Sequence, residues 1–134
     1  MNLDDFSQLG SDSFPGLLGI QVDSIDHGRV RMQLPLRPEL LAPNGYLHAA
    51  TVVGLADSAC GYGCIASLPA GASGFTTLEL KTNFLATALE GTLSCTSTLV
   101  HGGRTTQIWD ATVEDDADRI LALFRCTQLI LYPR

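Results

Sequence analysis

Asp57 is the only carboxylate between Glu39 and Glu79, and it lies in a run of small and apolar residues from His48 to Ser67. A charge in such surroundings is costly unless it is paired or solvated. No Lys or Arg occurs in the same run to neutralise it. At helical spacing its neighbours are Ala50, Val53, Gly54, Cys60, Gly61 and Cys64, mostly small side chains that leave room beside the carboxylate. An acid with free space next to it suits a general base for water, or a nucleophile in its own right. The competing reading is a structural carboxylate that caps a loop or binds an arginine. His48 opens the same run. The N–H groups of Ala49 and Ala50 after it carry the positive end of a helix dipole, which can polarise a carbonyl as an oxyanion site. Every helix has such an end, so His48 reads equally well as a capping residue.

Nine residues separate His48 from Asp57, or ~13.5 Å along a helix at 1.5 Å per residue. One reacting carbonyl cannot touch both. If both act on one substrate, two copies of the helix are needed, with Asp57 from one subunit and the helix start from the other across a two-fold axis.

The elements that must hold these residues are legible from periodicity. His48–Ser67 is apolar nearly all round, which predicts a helix over 48–66 buried on most faces. It is long enough to cross a bilayer. Asp57 at its midpoint, Gly54, Gly61 and Gly63, and the lack of basic flanks argue against that. Before it, Gly19–Ile25 and Arg29–Leu34 alternate with period two around an Asp26-His27-Gly28 turn. After it come four strand-like segments: Thr77–Phe84, Thr92–Val100, Thr105–Glu114 and Arg119–Tyr132. His101-Gly102-Gly103 and the acidic run Asp115–Asp118 supply tight turns between the later ones. Residues 1–15 read as an N-terminal extension with at most a short helix at Asp4–Leu9, and Phe14-Pro15-Gly16 reads as a turn. The order β-β-α-β-β-β-β with short connections predicts one α+β domain over residues 1–134, an antiparallel sheet wrapped around one long central helix.

Composition narrows the chemistry. The chain has 134 residues, 46% hydrophobic and 16% charged, so it can bury a core. Its net charge is −6, with Lys81 the single lysine beside seven arginines. Nucleic-acid binders need a basic stripe and anionic membranes attract polybasic patches, so both partners are disfavoured. Cys60, Cys64, Cys95 and Cys126 read as buried thiols, and Cys60 and Cys64 lack nearby His at ligand spacing, so no metal is expected. The N-terminal residues show neither a basic nor an apolar leader pattern, which points to the cytoplasm. Gly-x-Ser-x-Gly is absent, and no Gly-x-Gly-x-x-Gly follows a strand-like segment. Arg104, after Gly102-Gly103, and Lys81 are the candidates for contact with ligand phosphates. Phe75, Phe84 and Trp109 are available to line an aromatic pocket.

The stretch Asn44-Gly-Tyr-Leu-His48-Ala-Ala-Thr-Val-Val-Gly-Leu-Ala-Asp57 resembles the hotdog-fold acyl-CoA thioesterases of the phenylacetate-pathway and 4-hydroxybenzoyl-CoA thioesterase type. Their helix carries Asp or Glu nine residues after a His that precedes a Gly-Gly pair. Thr77-Leu-Glu-Leu-Lys-Thr-Asn-Phe84-Leu, followed by Glu90-Gly91, resembles the family's third strand and turn. The resemblance spans about residues 15–132. It implies the hotdog fold, homodimers paired into homotetramers, and hydrolysis of an acyl-CoA thioester to free acid and CoA without a cofactor. By position, Asp57 matches the catalytic acid and His48 the family histidine. Ala49 matches the glycine whose N–H meets the thioester carbonyl, and Thr77 a Ser/Thr that holds water or substrate. Here Ala49-Ala50 replaces Gly-Gly, Gly61 stands where some members have Thr, and Asn44 is two residues nearer His48 than the family's polar residue. Asn44 and Gly45 are carried as candidate substrate contacts, with Gly61, Arg104 and Lys81. The alternatives are a hotdog module that binds acyl-CoA or a partner without turnover, and a dehydratase or hydratase acting on acyl carriers.

Overall fold

The computed structural model describes residues 1–134. Two short helices come first, α1 (Leu3–Leu9) and α2 (Phe14–Leu18), then strands β1 (Gln21–Asp26) and β2 (Arg29–Pro35). A single 3-10 turn at Pro38–Leu40 leads to α3 (Ala49–Ala66). Four strands complete the chain: β3 (Gly74–Phe84), β4 (Thr92–Gly102), β5 (Thr106–Glu114) and β6 (Ile120–Leu131). They form one six-stranded sheet in the order β1-β2-β4-β5-β6-β3, and each neighbouring pair is antiparallel.

The sheet wraps α3. Inward positions alternate along each strand: Val30, Met32 and Leu34 on β2, Leu93 and Cys95 on β4, Trp109, Ala111 and Val113 on β5, all buried. They meet Val52, Leu55, Ala56, Ala59 and Cys60 of the helix. Helix α3 has the length and composition of a membrane span, yet most of it is buried inside this fold. Small residues let the helix sit close to the sheet: a Cβ at Gly63 would lie 2.5 Å from Trp109 Cη2. Trp109 is therefore core rather than pocket wall, and its indole N–H donates to Gln107 Oε1 at 2.8 Å.

Two expectations need revision. Phe14-Pro15-Gly16 opens a helix rather than making a turn. Proline is well tolerated in a helix's first turn, where its missing N–H costs nothing, and Gly19 closes α2 in the left-handed region at φ 89°. Strand β3 begins three residues earlier than periodicity suggests, because Gly74, Phe75 and Thr76 pair with Leu131, Ile130 and Leu129 of β6. The first fifteen residues pack onto the domain: Phe6 is buried with its ring centroid 5.8 Å from that of Tyr62 on α3. Arg37 holds α2 in place by donating to the carbonyls of Leu17 and Leu18 at 2.8 and 2.6 Å.

Candidate functional site

Asp57 sits in the middle of α3, and its Oδ1 is buried without a hydrogen-bond partner. Loss of solvent, with no cation to offset it, pushes its carboxyl above the ordinary value of 3.8. The neighbouring Ser58 hydroxyl is committed to Gly54 O at 2.6 Å and offers Asp57 nothing. The thiols beneath are inert. Burial drives Cys60 well up, and Cys64 and Cys95 to about 12. Protonated thiols are poor nucleophiles at neutral pH.

The face of α3 that carries Asp57 looks at β3. Gly61 lies one turn further along the same face, and a Cβ there would come 3.1 Å from the Phe75 ring. The loop entering α3 meets the far end of β3, where Leu47 N–H donates to Thr87 Oγ1 at 3.2 Å. Helix and strand therefore run antiparallel. From Gly61 back to Asp57 is ~6 Å along the helix. From Phe75 on to Thr77 is ~6.6 Å along the strand. Thr77 is thus level with Asp57 across the gap. It points to the helix side, since its register partner is the fully buried Gln128 and its hydroxyl donates to Gln128 Oε1 at 2.7 Å.

His48 is a capping histidine. Its Nδ1 accepts the Ala50 N–H at 2.9 Å, which places the ring proton on Nε2 and turns it outward. The Thr51 N–H goes to the His48 carbonyl at 3.0 Å, and the Ala49 N–H keeps no partner. The positive end of an 18-residue helix thus presents one free N–H to solvent, at Ala49. Asn44 and Gly45 form the turn before it. The Asn44 side chain accepts from Tyr46 N at 3.2 Å, and Gly45 takes φ 87°, which favours glycine.

The two candidate phosphate contacts lie apart from this groove. Lys81 pairs with Arg125 on the sheet face turned away from α3, in a cavity of about 320 Å³ shared with Asp110. Arg125 is already held by Asp110 through contacts of 2.5 and 2.8 Å, and that pairing raises the guanidinium's pKa. Arg104 sits in the β4–β5 turn, its guanidinium 5.9 Å from the Tyr132 ring centroid while Tyr132 donates to its carbonyl. That turn lies by the end of β6, far from the start of α3. Asp57 and Gly61 share one face of α3, and Thr77 is turned to that side of the sheet on β3. The structure leaves His48 and Ala49, with Asn44 and Gly45, at the helix start, and Lys81 and Arg104 at two further places. Sequence reasoning missed Gln128. Its signal was a polar residue at an inward position of β6, between Cys126 and Ile130.

A six-stranded antiparallel sheet curled around one long, glycine-containing helix is the hotdog fold. Residues 44–122 match the Thioesterase superfamily, and the chain belongs to that family. It is 32% identical over 110 residues to a 1,4-dihydroxy-2-naphthoyl-CoA hydrolase of Listeria monocytogenes, covering 82% of this chain and 89% of that protein. A solved thioesterase from Haemophilus influenzae superposes with a TM-score of 0.91 at 22% identity, covering 98% and 92% of the two chains. The Escherichia coli PaaI protein of the phenylacetic acid degradation operon superposes with a TM-score of 0.80 at 24% identity, covering 87% and 83%.

Proposed function

We propose that the chain hydrolyses acyl-CoA thioesters at a site shared by two copies, Asp57 of one facing the α3 N-terminus of the other. The observation that carries this is the buried, unpartnered carboxylate oxygen of Asp57, a polar group whose burial is costly unless a ligand or water completes it. Asp57 removes a proton from water, or attacks the carbonyl itself to form an anhydride that water then opens. The free Ala49 N–H supported by the helix dipole stabilises the developing oxyanion. Thr77, level with the acid, holds the attacking water. The thiolate of CoA leaves and takes up a proton.

Two further facts support a shared site. Along α3, His48 and Asp57 are ~13.5 Å apart, beyond the reach of one carbonyl. Strand β3 is a sheet edge, and Leu78, Phe84 and Leu85 on and just after it are about half exposed. Such an edge is a template for pairing with a second copy. The CoA half of the substrate draws support from the Listeria relative, a 1,4-dihydroxy-2-naphthoyl-CoA hydrolase. Arg104 and Lys81, which lie apart from the groove in one copy, are offered as phosphate contacts that would offset a net charge of −6. The proposal extends to a cytoplasmic homotetramer built from two such pairs. The deciding measurement is turnover of aryl, short-chain and long-chain acyl-CoAs by the wild type and by Asp57→Asn. Hydrolysis of at least one class that disappears in the variant supports the reading. Undiminished turnover in Asp57→Asn overturns it.

A further inference from the structure

The Thr77 hydroxyl has one proton to give, and Gln128 takes it. Thr77 Oγ1 donates to Gln128 Oε1 at 2.7 Å, the commonest O–H···O length. The amide's other end donates to Cys126 Sγ at 3.4 Å, so Gln128 is held from both sides in a fully buried position. With its proton committed, Thr77 offers the groove only lone pairs. It cannot donate to a thioester oxygen. It can accept from water.

We propose that Gln128 is a positioning residue that fixes Thr77 as an acceptor, so that Thr77 and Asp57 hold one water by its two protons. This rests on the role proposed above for Asp57. A water donating one hydrogen to the carboxylate and one to Thr77 Oγ1 turns its two lone pairs out of the groove, toward the thioester carbon. In the step that follows, the water oxygen bonds to the carbonyl carbon and Asp57 takes one proton. The carbonyl π pair moves onto oxygen and returns as the C–S bond breaks, and Asp57 passes the proton it took to the departing thiolate. Thr77 exchanges no proton and needs none. Gln128 never touches substrate and acts only through the orientation of Thr77.

Thr77→Val keeps the shape and removes the acceptor, Thr77→Ser restores it, and Gln128→Met removes the group that orients it. On an acyl-CoA turned over by the wild type, Thr77→Val and Gln128→Met should each lower kcat about tenfold or more, with KM changed less than about twofold, because orientation rather than binding is lost. Thr77→Ser should recover kcat to within about threefold. The double variant should be no slower than Thr77→Val alone, since both act on one water. Wild-type kcat in Thr77→Val overturns the inference, as does an additive loss in the double variant. If Gln128→Met does not fold, Gln128→Leu, which also lacks the acceptor for Thr77, takes its place with the same expected loss. If Asp57→Asn is inactive while Thr77→Val is fully active, only this inference falls. If Asp57→Asn is fully active, the reading of Asp57 falls and takes this one with it.

Discussion

Asp57 carries opposite consequences for stability and for turnover. Its carboxyl holds its proton more tightly in the folded chain than in the unfolded one, because burial raises it above 3.8. The folded state therefore binds more protons in the window from 3.8 up to the raised value. Stability is highest below that window and falls as pH rises through it. Asp57→Asn should melt higher than the wild type at pH 7, with the gap closing below about pH 4. Paired thermal melts at the two pH values test this. Turnover runs the other way: the base must be ionised, so kcat/KM of the wild type should fall on the acid side with an apparent pKa above 3.8. At pH 7 the Asn variant should lose at least ~10²-fold in kcat, the low end for positioned acid–base catalysis. His48 separates capping from chemistry in a similar way. His48→Ala removes the acceptor for Ala50 N–H and should cost about 1 kcal/mol. His48→Ser should recover most of that stability in a denaturant titration.

Helix α3 is built to be close-packed on one side and open on the other. Gly63 meets the Trp109 ring, itself locked by its bond to Gln107. Gly63→Ala should therefore destabilise by about 1–3 kcal/mol through overpacking, read as a lower denaturation midpoint with unchanged slope. Gly61 faces the single ring of Phe75 at 3.1 Å, on the groove side that carries Asp57. Gly61→Ala should cost less stability, because Phe75 is only half-buried and can swing. It should instead raise KM for bulky acyl groups by narrowing the groove. The contrast between the two glycines, measured on one pair of variants, separates the packed face from the functional face.

At the scale of the molecule, strand order creates the exposed edge. Strand β3 follows α3 in sequence but pairs with β6, the last strand, so it ends the sheet with one side unpaired. Leu80 of that strand sits opposite Cys126 and is 42% exposed. Placing a lysine there puts an inward-pointing charge on the edge, a device that discourages pairing. Leu80→Lys should give a monomer in sedimentation and lose hydrolysis in parallel, although Asp57 and Ala49 are untouched. An active monomer would break the case for a shared site.

Local chemistry alone determined a good deal. The apolar run from His48 to Ser67 read as a buried helix, with Asp57 and the glycines against a membrane span, the alternating segments around it read as half-buried strands, and the lone acid in that helix stood out because nothing within a turn could neutralise it. Asp57, the helix limits to within a residue, and the antiparallel order were readable because each rests on periodicity or on a charge in the wrong surroundings. Strand alternation likewise exposed no role for Trp109, which the sequence left free to line a pocket and the packing against Gly63 buried. Helix α2 was hidden because Phe-Pro-Gly satisfies a turn and a helix start equally, and the choice fell to Arg37, two carbonyls and a left-handed Gly19. Thr77 and Gln128 lie 51 residues apart. Thr77–Phe84 was already readable as a candidate edge, which the sheet order bears out, whereas the Thr77–Gln128 bond and the level of Thr77 against Asp57 depend on which strands become neighbours. That is decided by the closure of the whole sheet around α3, a non-local balance of burial and pairing that no window of sequence contains.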